Sequence, residues 1–146
     1  PDVIVHSTSS GGTQAGLVAG CALAGIRTRV IGISADESAA TLAADVRRIL
    51  SGLADLIGFG SDAHARALAG DAIEIDDRFV GDGYGLPTPQ SREAIDLLAS
   101  TEALFLDPTY TAKAMAGLLA GLRAGELEAA ETVVFWHTGG QVALFS

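Results

Sequence analysis

The 146-residue sequence has few positive charges and little sulfur. It has nine Lys and Arg residues against eighteen Asp and Glu, a net charge of −9 and one cysteine. The single Cys21 excludes an internal disulfide framework and is typical of a reducing compartment, so we expect a cytoplasmic location. The acidic balance argues against a nucleic-acid partner, because few side chains could neutralise phosphates along a backbone. No apolar run approaches the roughly 20 residues of a membrane span, so we expect no membrane partner.

Two common nucleotide-binding motifs and any zinc motif are also missing. The paired Gly11-Gly12 does not supply the G-x-G-x-x-G spacing, and no G-K-[ST] occurs. A nicotinamide-dependent dehydrogenase is therefore a weak alternative, in which Asp36 would serve a ribose. No His or Cys spacing resembles a zinc site, so no metal is expected.

Strand-like and helical segments alternate along a chain whose length and 49% hydrophobic composition fit one ordinary domain. Helices are predicted at about 13–25, 42–57, from 88 onward and at 107–123. The predicted strands are Val3–His6, Thr28–Ser34, Ala72–Ile75, Ala103–Leu106 and Thr132–His137. This alternation predicts an α/β fold with an open, mainly parallel twisted sheet and flanking helices.

A loop rich in glycine and hydroxyl groups follows the first predicted strand and opens a helix. Ser10 and Thr13 flank Gly11 and Gly12 there. Exposed backbone N–H groups at a helix start favour an anion, and the two hydroxyls could add donors. The loop therefore predicts a phosphate-binding site, with an ordinary glycine turn and a Ser/Thr cap as the alternative.

Other candidate residues follow later predicted strands or lie in a glycine-rich loop. Tyr110 lies in the first helical turn after the fourth strand and is expected to point toward the ligand edge, or else into the core. Tyr84 lies between two glycines, as a substrate contact or a packed loop anchor. Lys113 is the only lysine and is expected to be solvated, while His137 precedes Thr138 and is expected to be a hydrogen-bonding histidine.

Four motifs occur in one order along the chain: Ser9–Gly16, Tyr84–Pro87, Leu106–Met115 and His137–Gly140. The series resembles the D-cysteine desulfhydrase and 1-aminocyclopropane-1-carboxylate deaminase family. Its members are pyridoxal-phosphate enzymes of the tryptophan-synthase-β fold type, fold type II. The resemblance covers essentially residues 1–146, as the C-terminal portion of such an enzyme. It implies pyridoxal 5′-phosphate as cofactor, a small amino-acid substrate and a homodimer.

The resemblance also implies roles for individual residues. The backbone of Ser10, Gly11, Gly12 and Thr13 would hold the cofactor phosphate. Tyr110 would lie against the pyridine ring, and Tyr84 would face the substrate. Thr138 would form a hydrogen bond to the pyridine nitrogen, with Gly139 beside it. A neutral hydroxyl at that nitrogen would not hold it protonated as a carboxylate would, which favours elimination over transamination.

The Schiff-base lysine of the family has no match in this sequence. Lys113 belongs to the Tyr-Thr-Ala-Lys helix and is not that lysine. The chain begins at Pro1 and stops just after an apolar run, so both ends look internal to a longer protein. We therefore expect an upstream remainder of the same enzyme to supply the lysine, and this chain alone to be catalytically incomplete.

One position bears on the substrate. The deaminases resemble each other in having Glu directly after the stacking tyrosine, whereas this chain has Thr111. This favours α,β-elimination on a small sulfur amino acid of the D-cysteine type, giving pyruvate, ammonia and sulfide. The alternatives are 1-aminocyclopropane-1-carboxylate deaminase, cysteate sulfo-lyase and, in another class, a non-catalytic phospholigand-binding domain.

Overall fold

The centre of the molecule is a four-stranded parallel sheet. The computed structural model describes residues 1–58, 60–69 and 71–140. The strands are β1 (Val3–Thr8), β2 (Arg29–Ser34), β3 (Glu74–Asp76) and β4 (Val133–Trp136), in the order β3-β2-β1-β4. Every adjacent pair is parallel. The predicted α/β class with a parallel sheet is therefore confirmed.

Five helices flank the sheet in the described residues. They are α1 (Gly12–Ala24), α2 (Ala39–Ile57), α3 (Ser61–Ala67), α4 (Pro89–Glu102) and α5 (Thr111–Arg123). Helix α3 is not among the helices predicted from the sequence. This helix has only seven residues and buries two alanines, Ala63 and Ala67, so it lacks the long apolar stripe that reveals α2. None of the helices in the described part of the chain is long and apolar enough to cross a membrane.

Each face of the sheet has its own core. Val3 and Val5 of β1 point into a cluster with residues of α4 and α5. Val30 of β2 lies in a second cluster, which α1, α2 and α3 complete. Because helices cover both faces, all six residues of β1 are buried, as expected for a central parallel strand. The result is a three-layer arrangement that exposes the strand ends.

One predicted strand is not formed. Residues 103–106 make no ladder with any strand in the described part of the chain. Ala103 ends α4 in the left-handed region at φ 54°, and the Leu104 N–H returns to the Leu98 carbonyl. Leu104 and Phe105 are about half exposed. The apolar run therefore connects α4 to α5, and β4 pairs directly with β1 in its place.

The carboxyl ends of β1 and β2 lie side by side, because Thr8 pairs with Ser34 in the register. His6 pairs with Trp136, the last residue of β4. The loops after these strands consequently open at one edge of the sheet, where ligands of parallel α/β proteins bind.

Candidate functional site

A cleft of about 380 Å³ lies at this carboxyl edge. It is formed where the loop after β1, the segment before α5 and the loop after β4 meet. Its lining residues are Ser7, Ser9, Ser10, Thr13, Asp107, Tyr110, Thr138, Gly139 and Gly140. Five of the residues that the sequence analysis selected are therefore gathered around one cleft, and Gly11 and Gly12 connect two of them along the chain.

The start of α1 has open backbone donors. Its N-cap residue is Gly11, in the left-handed region at φ 78°, and no side chain caps the helix. Gly12 and Thr13 are exposed, and a Cβ placed on Gly12 would meet nothing within 4 Å. Since the first N–H groups of a helix have no partner within the helix, this end offers several donors and a positive dipole end to an anion. A phosphate group fits such donors.

Buried hydroxyls beside the cleft are also without partners. The Ser7 and Thr8 hydroxyls have no hydrogen-bond partner among the described residues, and Ser7 lines the cleft. The neighbouring Ser9 donates to the Asp36 carboxylate at 2.7 Å. A buried hydroxyl without a partner is costly, so Ser7 is a further donor for a bound group. Ser9 thus occupies Oδ2 of Asp36, whereas Oδ1 of the same carboxylate is buried without a partner among the described residues.

The turn that leads into α5 is held by one carboxylate. Asp107 is 1% exposed and accepts bonds from the N–H groups of Thr109, Tyr110 and Thr111 at 2.7–2.9 Å. The Thr111 hydroxyl donates to the same carboxylate at 2.7 Å and accepts from the Asp107 N–H at 2.8 Å. Asp107 therefore holds the turn 108–110 and the first residue of α5, and it fixes the backbone of Tyr110. The helix itself begins later than the Asp-Pro motif predicts, at Thr111, with Tyr110 as its N-cap residue.

The loop after β4 packs against Asp107. Gly140 has φ 96°, and a Cβ there would lie 2.5 Å from a carboxylate oxygen of Asp107. His137 accepts from the Gly139 N–H at 3.1 Å through Nδ1, and its Nε2 lies 3.2 Å from the Phe105 carbonyl oxygen. Both ring nitrogens of His137 thus have partners. Thr138, which lies between His137 and Gly139 in the chain, is exposed and lines the cleft.

Tyr110 lines the cleft, whereas Tyr84 is not a lining residue and is connected to the cleft through Tyr110. Their hydroxyls are hydrogen-bonded to each other, and their rings lie edge to face with centroids 5.7 Å apart. The bond to Tyr84, reinforced by burial and by the carboxylates of Asp36 and Asp107, raises the pKa of Tyr110 to about 12. The Tyr110 hydroxyl therefore stays protonated near neutral pH. Tyr84 itself is 58% exposed.

The expectation that Lys113 is solvated is wrong. Its side chain is fully buried, and the ammonium donates to the carbonyl oxygens of Ala35, Val80 and Gly83 at 2.8–2.9 Å. The sequence does contain a signal for this burial, because the residues around Lys113 on α5 are small and apolar on every side. The first two turns of α5 are apolar on every side and buried, and the charge of Lys113 is buried with them.

Two other cavities lie away from this edge. One, of about 270 Å³, is lined by Arg29, Glu74, Asp76, Arg78 and Glu126 among others. These charges pair with one another across the cavity wall. The second, of about 450 Å³, lies at the opposite end of β2 between α1 and α3. Neither contains a candidate residue from the sequence analysis.

Comparison with known families gives one match over nearly the whole chain. Residues 1–139 match the family described as "Pyridoxal-phosphate dependent enzyme". Among curated proteins, the chain is 38% identical over 143 residues to proteins named 1-aminocyclopropane-1-carboxylate deaminase from Variovorax paradoxus (strain S110) and from Burkholderia cenocepacia. A protein of the same name from Burkholderia multivorans is 37% identical. These alignments cover 98% of this chain and 41% of each relative, so the chain spans about two fifths of their length.

Comparison with solved structures agrees with this result. A structure described as "Crystal Structure Analysis of the ACC deaminase homologue" superimposes with a TM-score of 0.79 at 30% sequence identity. The match covers 95% of this chain and 39% of that one. The sheet and its flanking helices therefore reproduce part of the fold of that protein.

Proposed function

The chain belongs to the pyridoxal-phosphate-dependent enzyme family, and we propose that its cleft holds the phosphate and the ring of that cofactor. The observation that carries the proposal is the open start of α1, which has no side-chain cap and faces the cleft. Ser10 and Thr13 add exposed hydroxyls there, and Ser7 adds a buried one. No lysine or arginine lines the cleft in the described residues. Neutral donors and a helix dipole would thus hold the phosphate.

We assign the remaining cleft residues to the ring and the substrate. Tyr110, whose backbone is fixed by Asp107, would lie against the cofactor ring, and Tyr84 would face the substrate. Thr138 would bond the ring nitrogen, with Gly139 shaping the same loop. When bound, the cofactor supplies an electron sink for charge that develops at the substrate α-carbon. A neutral hydroxyl at the ring nitrogen, rather than a carboxylate, makes that sink weaker and favours elimination.

The Schiff-base lysine is proposed to lie outside these 146 residues. Lys113 is the only lysine in the chain, and its three N–H bonds are occupied by backbone carbonyls. A lysine held in this way is not available as a nucleophile. We propose that the remainder of the same enzyme supplies the lysine, and that the whole enzyme is a homodimer in the cytoplasm.

For the substrate we propose D-cysteine or a similar small sulfur amino acid. The reaction is α,β-elimination, in which D-cysteine and water give pyruvate, ammonia and sulfide. Support comes from position 111, where the deaminases of the family have Glu. Thr111 is buried and its hydroxyl is bonded to Asp107, so this position provides no carboxylate near the ring.

A second candidate is ring opening of 1-aminocyclopropane-1-carboxylate. The names of the curated relatives favour it, since three of them carry that activity in their names at 37–38% identity. The two candidates share the proposed phosphate site, so assays with each substrate are needed to distinguish them.

The test uses the whole enzyme that carries these residues, purified with pyridoxal phosphate. D-cysteine and 1-aminocyclopropane-1-carboxylate are supplied in separate assays, and sulfide, ammonia and the oxo acid are measured. We expect sulfide and pyruvate from D-cysteine, and a much lower rate for Tyr84→Phe with unchanged cofactor absorbance. Ammonia and a four-carbon oxo acid from the second substrate alone would favour the deaminase. Cofactor bound with no turnover of either substrate would contradict both candidates and favour a non-catalytic phospholigand-binding role.

A further inference from the structure

The segment 80–87 carries Tyr84 to the cleft with little packing of its own. The chain is buried at Phe79 and again at Thr88, but no residue between them is buried. The backbone bonds of the segment are local, from Val80 to the Asp77 carbonyl and from Leu86 to the Gly83 carbonyl. A segment without buried side chains needs another anchor to remain in one position.

The anchors come from one helix end. Among the described residues, the hydrogen bonds that reach segment 80–87 from distant positions originate at Lys113 and Tyr110. Lys113 donates to the carbonyls on either side of the loop bend, Val80 and Gly83, and the second of these immediately precedes Tyr84. Its third bond goes to Ala35, directly after β2. One side chain thus ties the loop to the sheet edge.

The ammonium group is suited to this geometry. Three carbonyl oxygens converge on Nζ at 2.8–2.9 Å, so all three N–H bonds are used. A neutral amine has only two, and the arrangement therefore requires the protonated form. Burial lowers the pKa of Lys113, and the Asp36 carboxylate nearby opposes that shift. The negative ends of the three carbonyl dipoles stabilise the ammonium charge, as they would stabilise a small monovalent cation.

We propose that Lys113 is a positioning residue, a tethered cation that holds segment 80–87 so that Tyr84 stays at the cleft. The inference depends on the proposed function only for the statement that Tyr84 faces the substrate. It predicts that removing the ammonium releases the loop while leaving the rest of the fold in place. It also predicts that a free alkylammonium can take over the vacated cage.

The test is hydrogen exchange of the holoenzyme, followed by mass spectrometry. In Lys113→Met, which keeps an unbranched apolar chain, the amides of Val80 and Leu86, which donate the backbone hydrogen bonds of segment 80–87, are expected to exchange at least roughly tenfold faster. Exchange in β2, α4 and the rest of α5 is expected to stay unchanged. Arg92→Ala, which removes an exposed cation from α4, is the control and is expected to change neither region.

Chemical rescue separates the charge from the volume. In Lys113→Ala the missing atoms correspond to n-propylammonium, and this ion is expected to restore slow exchange in 80–87, whereas 1-propanol is not. Equal rescue by both would overturn the proposal, as would an unchanged loop in Lys113→Met or faster exchange spread over the whole sheet. If Lys113→Met does not fold, recovery of soluble Lys113→Ala with propylammonium but not with propanol supports the proposal, and equal recovery contradicts it.

Cofactor content is measured by visible absorbance in the same samples. An enzyme that binds no pyridoxal phosphate would contradict the proposed function, and the exchange comparison would still decide the role of Lys113. Conversely, an unchanged loop in a variant that retains its cofactor would contradict only the role of Lys113.

Discussion

Two helices begin at the same edge of the sheet, and the backbone N–H groups that lead into them are satisfied to different degrees. At α5, the Asp107 carboxylate accepts three backbone N–H bonds and one hydroxyl bond. At α1, the N-cap is Gly11 and no side chain accepts a bond from the helix. Helix starts prefer a side-chain cap, so the absence of one beside a cleft is informative. The hydrogen bonds of Asp107 fix the backbone ahead of α5, and the open start of α1 is where we propose that an anion binds.

The residues near the starts of α1 and α5 differ in their hydrogen bonding in the same way. Tyr110 and Lys113 follow Asp107 and are held by several hydrogen bonds. Ser7 and Thr8, which lead to the open end, have hydroxyls without partners in the described residues. Hydroxyls without partners and open helix N–H groups therefore lie on one side of the cleft, and hydrogen-bonded side chains lie on the other.

Removing the carboxylate ahead of α5 should have the largest effect on stability. Asp107→Ala would leave three backbone N–H groups and a buried hydroxyl without an acceptor, so we expect a loss of about 3 kcal/mol in the free energy of unfolding. Asp107→Asn keeps one oxygen acceptor and is expected to lose less. Urea unfolding of the apoenzyme measures both. A loss below about 1 kcal/mol for the alanine variant would contradict the importance of this carboxylate.

Substitutions at two adjacent glycines test the left-handed backbone conformation at the start of α1. Gly11 has φ 78°, and a Cβ there would lie 3.0 Å from Val46 Cγ2, so Gly11→Ala is expected to lose about 2 kcal/mol. Gly12→Ala is the matched control, because a Cβ there meets nothing within 4 Å. It is expected to gain about 0.5 kcal/mol from helix propensity. Equal effects in thermal unfolding of the two apo variants would contradict the left-handed cap.

A smaller effect concerns pH and the strand that leads to the open start. His6 is fully buried, and burial lowers its pKa below the ordinary value of 6.5. Below pH 6.5 the unfolded chain binds a proton that folded His6 does not, so stability falls as the pH is lowered. Linkage limits the loss to roughly 1.4 kcal/mol per pH unit. Unfolding measured at pH 7.5 and 5.5 should show a weaker dependence in His6→Gln, and an identical dependence would contradict the burial of this ring.

The smallest stability change is expected from adding a cap to α1. In the apoenzyme, Thr13→Asp places a carboxylate in the first turn and should stabilise the protein by about 0.5 kcal/mol. Thr13→Asn, which has nearly the same shape without the charge, is the control. If a side chain already accepted hydrogen bonds from the N–H groups at the start of α1, the aspartate would add no stability. Thermal unfolding of the apo variants would then show no difference.

The parallel sheet and five of the nine residues that line the cleft could be predicted from the sequence, because apolar runs and turn residues are local patterns. The strand pairing and the long-range side-chain contacts could not be predicted in this way. Residues 103–106 have strand composition, but β4 takes the place beside β1. Lys113 looks like a surface residue until its three carbonyl partners, from two distant loops, are brought together by the fold. Long-range partners of one side chain leave little trace in the local sequence.

The central claim, that the open start of α1 binds the cofactor phosphate, is tested by comparing pyridoxal phosphate with pyridoxal. Affinities of both for the whole apoenzyme are measured in the wild type, Thr13→Asp and Thr13→Asn. Several charge-assisted bonds to the phosphate should make the wild type prefer pyridoxal phosphate by at least roughly 100-fold. The aspartate should reduce that ratio at least roughly tenfold without weakening pyridoxal binding, and the asparagine should largely preserve it. A ratio that is the same in all three proteins would contradict the claim.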